Sequence, residues 1–243
     1  MITNQQYISE NITTNEGQPI PYRWTHGATD KHMGDGLLVY SLIQHMRAKN
    51  CVCIGSGGGY IPRIMTQARL DLYEQGIFTG DNDRNWGDIG ATYLVDACNG
   101  IGGPNDLKNE ESFFRKRFYP RLIKSKSEDA YYNFFVLQNI VIDVLFIDGD
   151  HSYEGVKKDF ELYSTLLSDK GIIIIHDTDD RFEESLIISE DTKKNHHKFD
   201  GPSKFIKELE KNPSYNLINL FNFSILPTKP SSSGITIINK KNG

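Results

Sequence analysis

Residues 50–54 run Asn50-Cys-Val-Cys-Ile54, and the tract Gly55-Ser-Gly57-Gly58-Gly59 follows at once. A short apolar run that stops at glycine reads as a strand buried on both faces. Ile61, Ile64, Met65 and Ala68 then recur at helical spacing, and Pro62 suits a first helical turn, where its missing N–H costs nothing. Strand, glycine loop and helix in that order commit the chain to an α/β arrangement. Glycines at such a turn let the backbone bend tightly and approach a ligand that a Cβ would hold off. Four glycines in five positions exceed what a plain turn needs, so the tract reads as a ligand loop. Its GxGxG form does not by itself identify the ligand.

The alternation continues downstream. Strands are expected at 91–95, 121–124, 141–147 and 171–175, and two more near 215–223 and 234–239. Helices are expected at 35–48, 106–118, 152–167 and 202–211. The clearest is 152–167, where Val156, Phe160, Tyr163 and Leu167 share one face. Strands alternating with helices imply a parallel sheet covered on both sides. The last two strands leave no room for a crossover helix and are expected as an antiparallel pair. Gly76, Gly80, Asn82, Asp83, Asn85 and Gly87 make 71–90 read as loop. Residues 1–30 show no period. The expected organisation is an N-terminal arm, 1–34, and one domain, 35–243.

At 243 residues, 38% hydrophobic and 24% charged, the chain is of globular type. A net charge of −5 lacks the basic footprint of a nucleic-acid binder, although Arg115, Lys116, Arg117 and Arg121 lie close together. No apolar run of about 18 residues is present, so no membrane partner is expected. The polar start lacks the pattern of a signal peptide, which points to a cytoplasmic protein. Cys51, Cys53 and Cys98 give no disulfide framework. Cys51 and Cys53 alternate along one strand and read as small buried hydrophobes.

Asp96 closes the second expected strand, and a carboxylate there can accept two ribose hydroxyls. It lies about twice as far from the glycines as the usual ~20 residues, and the 71–90 segment accounts for the difference. The fourth strand runs into Asp148-Gly-Asp150-His151, and the fifth into His176-Asp177-Thr178. Parallel strands open at one edge, so Asp148, Asp150, His151, His176 and Asp177 are expected around one crevice. Gathered carboxylates repel unless protons or a cation offset them, and oxygen ligands suit Mg²⁺ or Ca²⁺. His151 beside them can serve as general base. Blander roles stay open: Asp150 or Ser152 as a helix cap, His176 as a satisfied strand-end histidine, and Asp177 as a turn cap.

Together, Ile147-Asp-Gly-Asp-His-Ser-Tyr-Glu-Gly-Val156 and His176-Asp177 resemble the class I S-adenosylmethionine-dependent methyltransferases. They are most similar to the group of macrocin and mycinamicin sugar O-methyltransferases, and more distantly to catechol O-methyltransferase and the cephalosporin hydroxylase protein. The resemblance spans roughly residues 35–240. It implies a Rossmann-like, seven-stranded, mostly parallel sheet of order 3-2-1-4-5-7-6, with the seventh strand antiparallel and helices on both faces. It implies S-adenosylmethionine as cofactor, contacted by Gly55, Ser56, Gly57 and Gly59, with Asp96 on the ribose, Ser127 on the adenine side, and Asp148 beside the cofactor. It places Mg²⁺ on Asp148, Asp177 and Thr178, and the base at His151. The reaction it implies is O-methylation of a small-molecule acceptor or sugar.

The chain departs from the family pattern in three places. Cys53 stands where an acidic residue is usual, Thr178 where an amide or acid is usual, and 71–90 is inserted. Three other readings therefore remain: a non-catalytic S-adenosyl binder or hydroxylase-like relative, a transferase using Asp148-Gly-Asp150 as a nucleotide-sugar DxD, and an NAD-dependent dehydrogenase. Residues 22–33, 71–90 and 179–200 are the expected acceptor-pocket walls, with Trp24, His26, His32 and Trp86 as candidate linings. The arm is a candidate contact for a second subunit in a homo-oligomer.

Overall fold

Seven short strands supply the frame: β1 (Cys51–Ile54), β2 (Thr92–Val95), β3 (Arg121–Ile123), β4 (Ile142–Ile147), β5 (Leu167–His176), β6 (Tyr215–Leu220) and β7 (Ile235–Lys240). The structure, a computed structural model, describes residues 4–12, 26–29, 32–55, 59–77, 90–98, 118, 120–179, 200–220 and 233–241. The sheet order is β3-β2-β1-β4-β5-β7-β6. β1 to β5 pair in parallel, and β7 runs antiparallel to both β5 and β6. This is the expected sheet.

Side chains alternate along the buried strands and so feed two apolar layers. Cys51, Cys53, Leu94, Val144, Phe146, Ile172 and Ile174 face one layer. It is completed by Val39 and Ile43 of one helix (Asp35–Met46) and by Ile61, Ile64, Met65 and Ala68 of the next (Tyr60–Glu74). Val52, Ile54, Val95, Leu145, Ile147, Ile173 and Ile175 face the other layer. There they meet Phe135, Val156, Phe160, Phe205 and Ile206. Full burial of each such side chain is worth about 1.5–3 kcal/mol. Among the described residues the α-helices are α1 (Gln5–Tyr7), α2 (Asp35–Met46), α3 (Tyr60–Glu74), α4 (Ser127–Ala130), α5 (Tyr153–Tyr163) and α6 (Gly201–Leu209).

The structure departs from the sequence expectation in several elements. α3 runs on through Glu74, into the stretch read as loop. Leu72 is buried, and Asp71 accepts from Tyr40 (2.6 Å) and from Gln67 Nε2 (2.7 Å). A buried polar residue with partners inside a helix breaks the apolar count that marks helices. Within the arm, α1 continues as a π-turn, Ile8–Ile12, and buries Ile8 and Ile12 against α3. Tyr7 also donates to Gln67 Oε1 at 2.6 Å. α4 runs into a second π-turn, Tyr131–Val136, which shows no clean sequence period. The helix expected over 152–167 stops at Tyr163 and turns 3-10 through Leu166, and β5 begins at Leu167. Of the helix expected at 106–118, only Phe118 is described, and it is buried. Asp143, the polar residue inside β4, accepts from the Lys49 and Asn50 N–H groups (2.8 and 3.0 Å) and from Ser168 (2.8 Å). Among the described residues no helix is long and apolar enough to cross a membrane.

Candidate active site

β1, β2, β4 and β5 end at one edge, and their first residues beyond the sheet build the site. Gly55 leaves β1 at φ 72°, a left-handed conformation that side chains disfavour. A Cβ there would run into the Asp148 carbonyl oxygen. The Gly55 N–H donates to Val95 O (2.9 Å) and the Asp148 N–H to Ile54 O (2.9 Å), so Gly55 is held between β2 and β4. Gly59 caps α3 at φ 83°. Ser56 and Gly57, both expected as cofactor contacts, lie outside the described residues. Cys53 points into the core and donates its thiol hydrogen to Gly55 O (2.8 Å), and burial raises its pKa well above the usual thiol range.

Asp96 follows β2, half-buried, and its carboxylate accepts from the Cys98 N–H at 2.6 Å. Ser127 opens α4. Its carbonyl accepts from Tyr163 (2.8 Å), and its hydroxyl bonds the buried Asp159 carboxyl.

The acids and histidines converge. His151 reaches Asp148 Oδ1 with Nε2 (3.3 Å) and Asp177 Oδ2 with Nδ1 (3.2 Å). His176 Nδ1 lies 3.2 Å from Asp148 Oδ1 and 3.1 Å from Asp177 Oδ1. Ser233 donates to Asp177, and its hydroxyl lies 3.2 Å from His176 Nε2. His26 comes from the N-terminal arm. Its Nε2 stands 3.8 Å from Asp148 Oδ2, and its ring stacks on His176 with centroids 4.1 Å apart.

Charges in this cluster are mutually dependent. Burial alone would raise the carboxyl pKa values. The His176 charge, with the hydrogen bonds from His151 and His176, instead holds Asp148 well below the usual carboxylate range. Burial likewise opposes the lowering of Asp177, and the charges of His176 and His151 outweigh it. Burial would lower His151, but Asp177 and Asp148 push it up to about 9. His176 is raised well above its ordinary value by the same two carboxylates against burial. His26 is lowered to about 3, by burial first and then by the His176 charge. As it stands, the cluster neutralises two carboxylates with two imidazolium ions and keeps the third imidazole neutral.

Asp148, His151 and Asp177 thus meet as the sequence places them, and His176 joins them. Thr178 does not. Its hydroxyl is buried and accepts from Thr236 at 3.0 Å, because Asp177 turns left-handed (φ 57°) and sends the next side chain back toward β7. Asp150 also stays outside the cluster, accepting the Ser152 N–H (2.9 Å), while Ser152 caps α5 by accepting from Gly155 N–H (3.0 Å). His32 is exposed and accepts the Gly34 N–H (2.9 Å). Trp24 and Trp86 lie outside the described residues, as do Arg115, Lys116 and Arg117. His26, expected from the sequence only as a candidate lining of the acceptor pocket, joins the cluster, and so does Ser233, which sits unmarked in a run of serines.

The strand order, the single antiparallel strand and the acid-lined edge beside Gly55 define the class, a Rossmann-like methyltransferase fold. Residues 52–178, more than half of the chain, match the model of the methyltransferase domain family, and the chain belongs to that family of methyltransferases. The dehydrogenase and nucleotide-sugar readings give way to this match, and Asp150, spent on the start of α5, leaves no DxD pair facing one way.

Solved structures share the fold. The O-methyltransferase from Bacillus cereus in complex with SAH is 16% identical, with a TM-score of 0.58, over 98% of this chain and 96% of that chain. TomG from Streptomyces achromogenes, an O-methyltransferase involved in tomaymycin synthesis and solved with SAM, is 12% identical, with a TM-score of 0.59, over 98% and 96%. The SAH-bound methyltransferase PaMTH1 from Podospora anserina is 16% identical, with a TM-score of 0.57, over 98% and 95%. No curated protein matches the sequence.

Proposed function

We propose that the protein transfers the methyl group of S-adenosylmethionine to a hydroxyl oxygen of a small molecule or sugar. The observation that carries this reading is His151 set between Asp148 and Asp177, at 3.3 and 3.2 Å, on the edge where Gly55 leaves β1. The resemblance of the Ile147–Val156 block to sugar O-methyltransferases and the SAM- and SAH-bound O-methyltransferases of the same fold support it.

The residues fit the cofactor. The left-handed Gly55 sits against the end of β4, and Asp96 ends the neighbouring strand. A carboxylate has about four acceptor sites, so Asp96 keeps capacity for ribose hydroxyls beside its bond to Cys98. Ser127 would take the adenine side, as the resemblance implies. The cofactor supplies a sulfonium-activated methyl group. With the methyl donor held beside Gly55 and Asp96, His151 in its neutral form would take the acceptor's hydroxyl proton on a ring nitrogen as the methyl passes from sulfur to oxygen. Orientation of the two partners supplies much of the rate. Asp148 and Asp177 hold His151 in place, and they would also hold a divalent cation whose charge stabilises the developing alkoxide.

Calorimetric titration with S-adenosylmethionine and S-adenosylhomocysteine, with NADH as control, tests the reading. Micromolar binding of both adenosyl ligands is expected, weakened about 10- to 100-fold in Asp96→Ala by loss of charge-assisted hydrogen bonds. Absence of adenosyl binding overturns the proposal. Binding without turnover on a panel of hydroxylated acceptors favours a non-catalytic adenosyl-binding protein.

A further inference from the structure

We infer that the site binds a first-row transition-metal ion in preference to Mg²⁺, with His26 and His176 supplying nitrogen ligands beside Asp148. The inference rests on the proposed methyltransferase site only for its place on the sheet edge.

Ligand geometry is the first ground. Donor atoms bound at about 2.0–2.2 Å to one ion lie roughly 3.0–3.6 Å from their neighbours in octahedral or tetrahedral sites. His176 Nδ1 stands at 3.2 and 3.1 Å from oxygens of Asp148 and Asp177, inside that window. His26 Nε2 stands 3.8 Å from Asp148 Oδ2, too long for a hydrogen bond but a small adjustment away from a shared ion. His26, Asp148 and His176 each present a donor atom within 4.8 Å of the other two.

His26 itself is the second ground. It is 2% exposed, and its Nδ1 has no hydrogen-bond partner. A buried polar group without a partner costs about 1–3 kcal/mol, so such a residue calls for an explanation. Stacking on His176 directs its Nε2 toward the same carboxylate that His176 meets. Coordination would give this imidazole a polar bond at Nε2, on the Asp148 side, while Nδ1 on the other side of the ring is not engaged by it.

Donor chemistry then selects the ion. Mg²⁺ prefers an all-oxygen octahedron and keeps several waters. Here Thr178, the oxygen donor expected next to Asp177, is turned away to Thr236, and two imidazoles take part instead. Imidazole with carboxylate suits Fe²⁺, Co²⁺, Ni²⁺ and Zn²⁺. His151, the most exposed of the three histidines around Asp148 at 23% for its side chain, forms a second possible ligand group with Asp148 and Asp177, and its proposed role as base is what reserves it for the acceptor.

The test strips the full-length protein with a chelator and titrates it with Co²⁺, read by visible d–d absorption. One equivalent is expected to bind, and Mg²⁺ in about thousandfold excess is expected to leave the band in place. His26→Ala and His26→Gln should each weaken Co²⁺ binding on the order of 10- to 100-fold and shift the band. Melting of the metal-free variants shows whether they are folded. Zinc-edge X-ray absorption of the wild-type protein counts imidazoles without any mutation, and a shell with two is expected. Displacement of Co²⁺ by equimolar Mg²⁺, wild-type Co²⁺ affinity in a folded His26 variant, or an all-oxygen zinc shell each overturns the inference. S-adenosylhomocysteine is titrated in parallel. Its binding intact while metal selectivity fails removes this inference alone, and the reverse outcome removes the proposed function alone.

Discussion

His151 holds two carboxylates with its two ring nitrogens, and that attraction keeps its proton on up to about pH 9. A general base must shed its proton first. Without added divalent ion, kcat/KM should therefore climb with pH on a limb near 9, and His151→Ala should lower kcat about 10²- to 10⁴-fold and abolish the limb. An unchanged pH–rate profile in His151→Ala would remove the base from this residue. Asp148, His151 and Asp177 were legible in the sequence because parallel strands all end at one edge, and a residue just past a strand has few places to go. Thr178 was misplaced because one left-handed residue, Asp177, undoes the strand's alternation, and nothing in the letters reports a dihedral angle. His26 was invisible as a member of the cluster because its contacts with Asp148 and His176 cross more than half the chain.

α5 shows how far periodicity reads an element and where it stops. Its apolar face, Val156, Phe160 and Tyr163, is plain in the sequence, and so is the capping serine at 152. Asp159 on the same helix looks like an ordinary surface acid, yet it is buried. Burial pushes its carboxyl up to about 6, so the folded chain holds that proton more tightly than the unfolded chain does. Its contribution to stability is full below about pH 4 and declines as pH rises to about 6, by at most ~3 kcal/mol. Asp159→Asn, which can still accept from Ser127, should flatten the melting temperature between pH 4 and 7 and raise it at pH 7. Parallel pH profiles for the two proteins would show that the acid is not strained by burial. The same blindness to buried polar groups explains α3, whose last turn hides Asp71 behind Tyr40 and Gln67.

For the molecule as a whole, the two ends of the chain are locked into the middle. Ile8 and Ile12, from a stretch without sequence period, share an apolar layer with α3 and strands β1, β2, β4 and β5. Ile12→Ala should cost about 2–5 kcal/mol. At roughly 2–4 °C per kcal/mol for a chain of this size, the melting temperature should fall by at least several degrees, while exposed Glu10→Ala should leave it unchanged. An equal, small effect of both would detach the segment from the core. β7 lies between β5 and β6, and the residues just before it bring Ser233 onto His176 and Asp177. On the ribosome, where the chain emerges at about 5–20 residues per second, the sheet up to β5 and the histidine of the arm are made well before that hairpin closes. Until residues 233–240 emerge, the nascent sheet lacks the strand that stands between β5 and β6, and the acid–histidine cluster lacks Ser233.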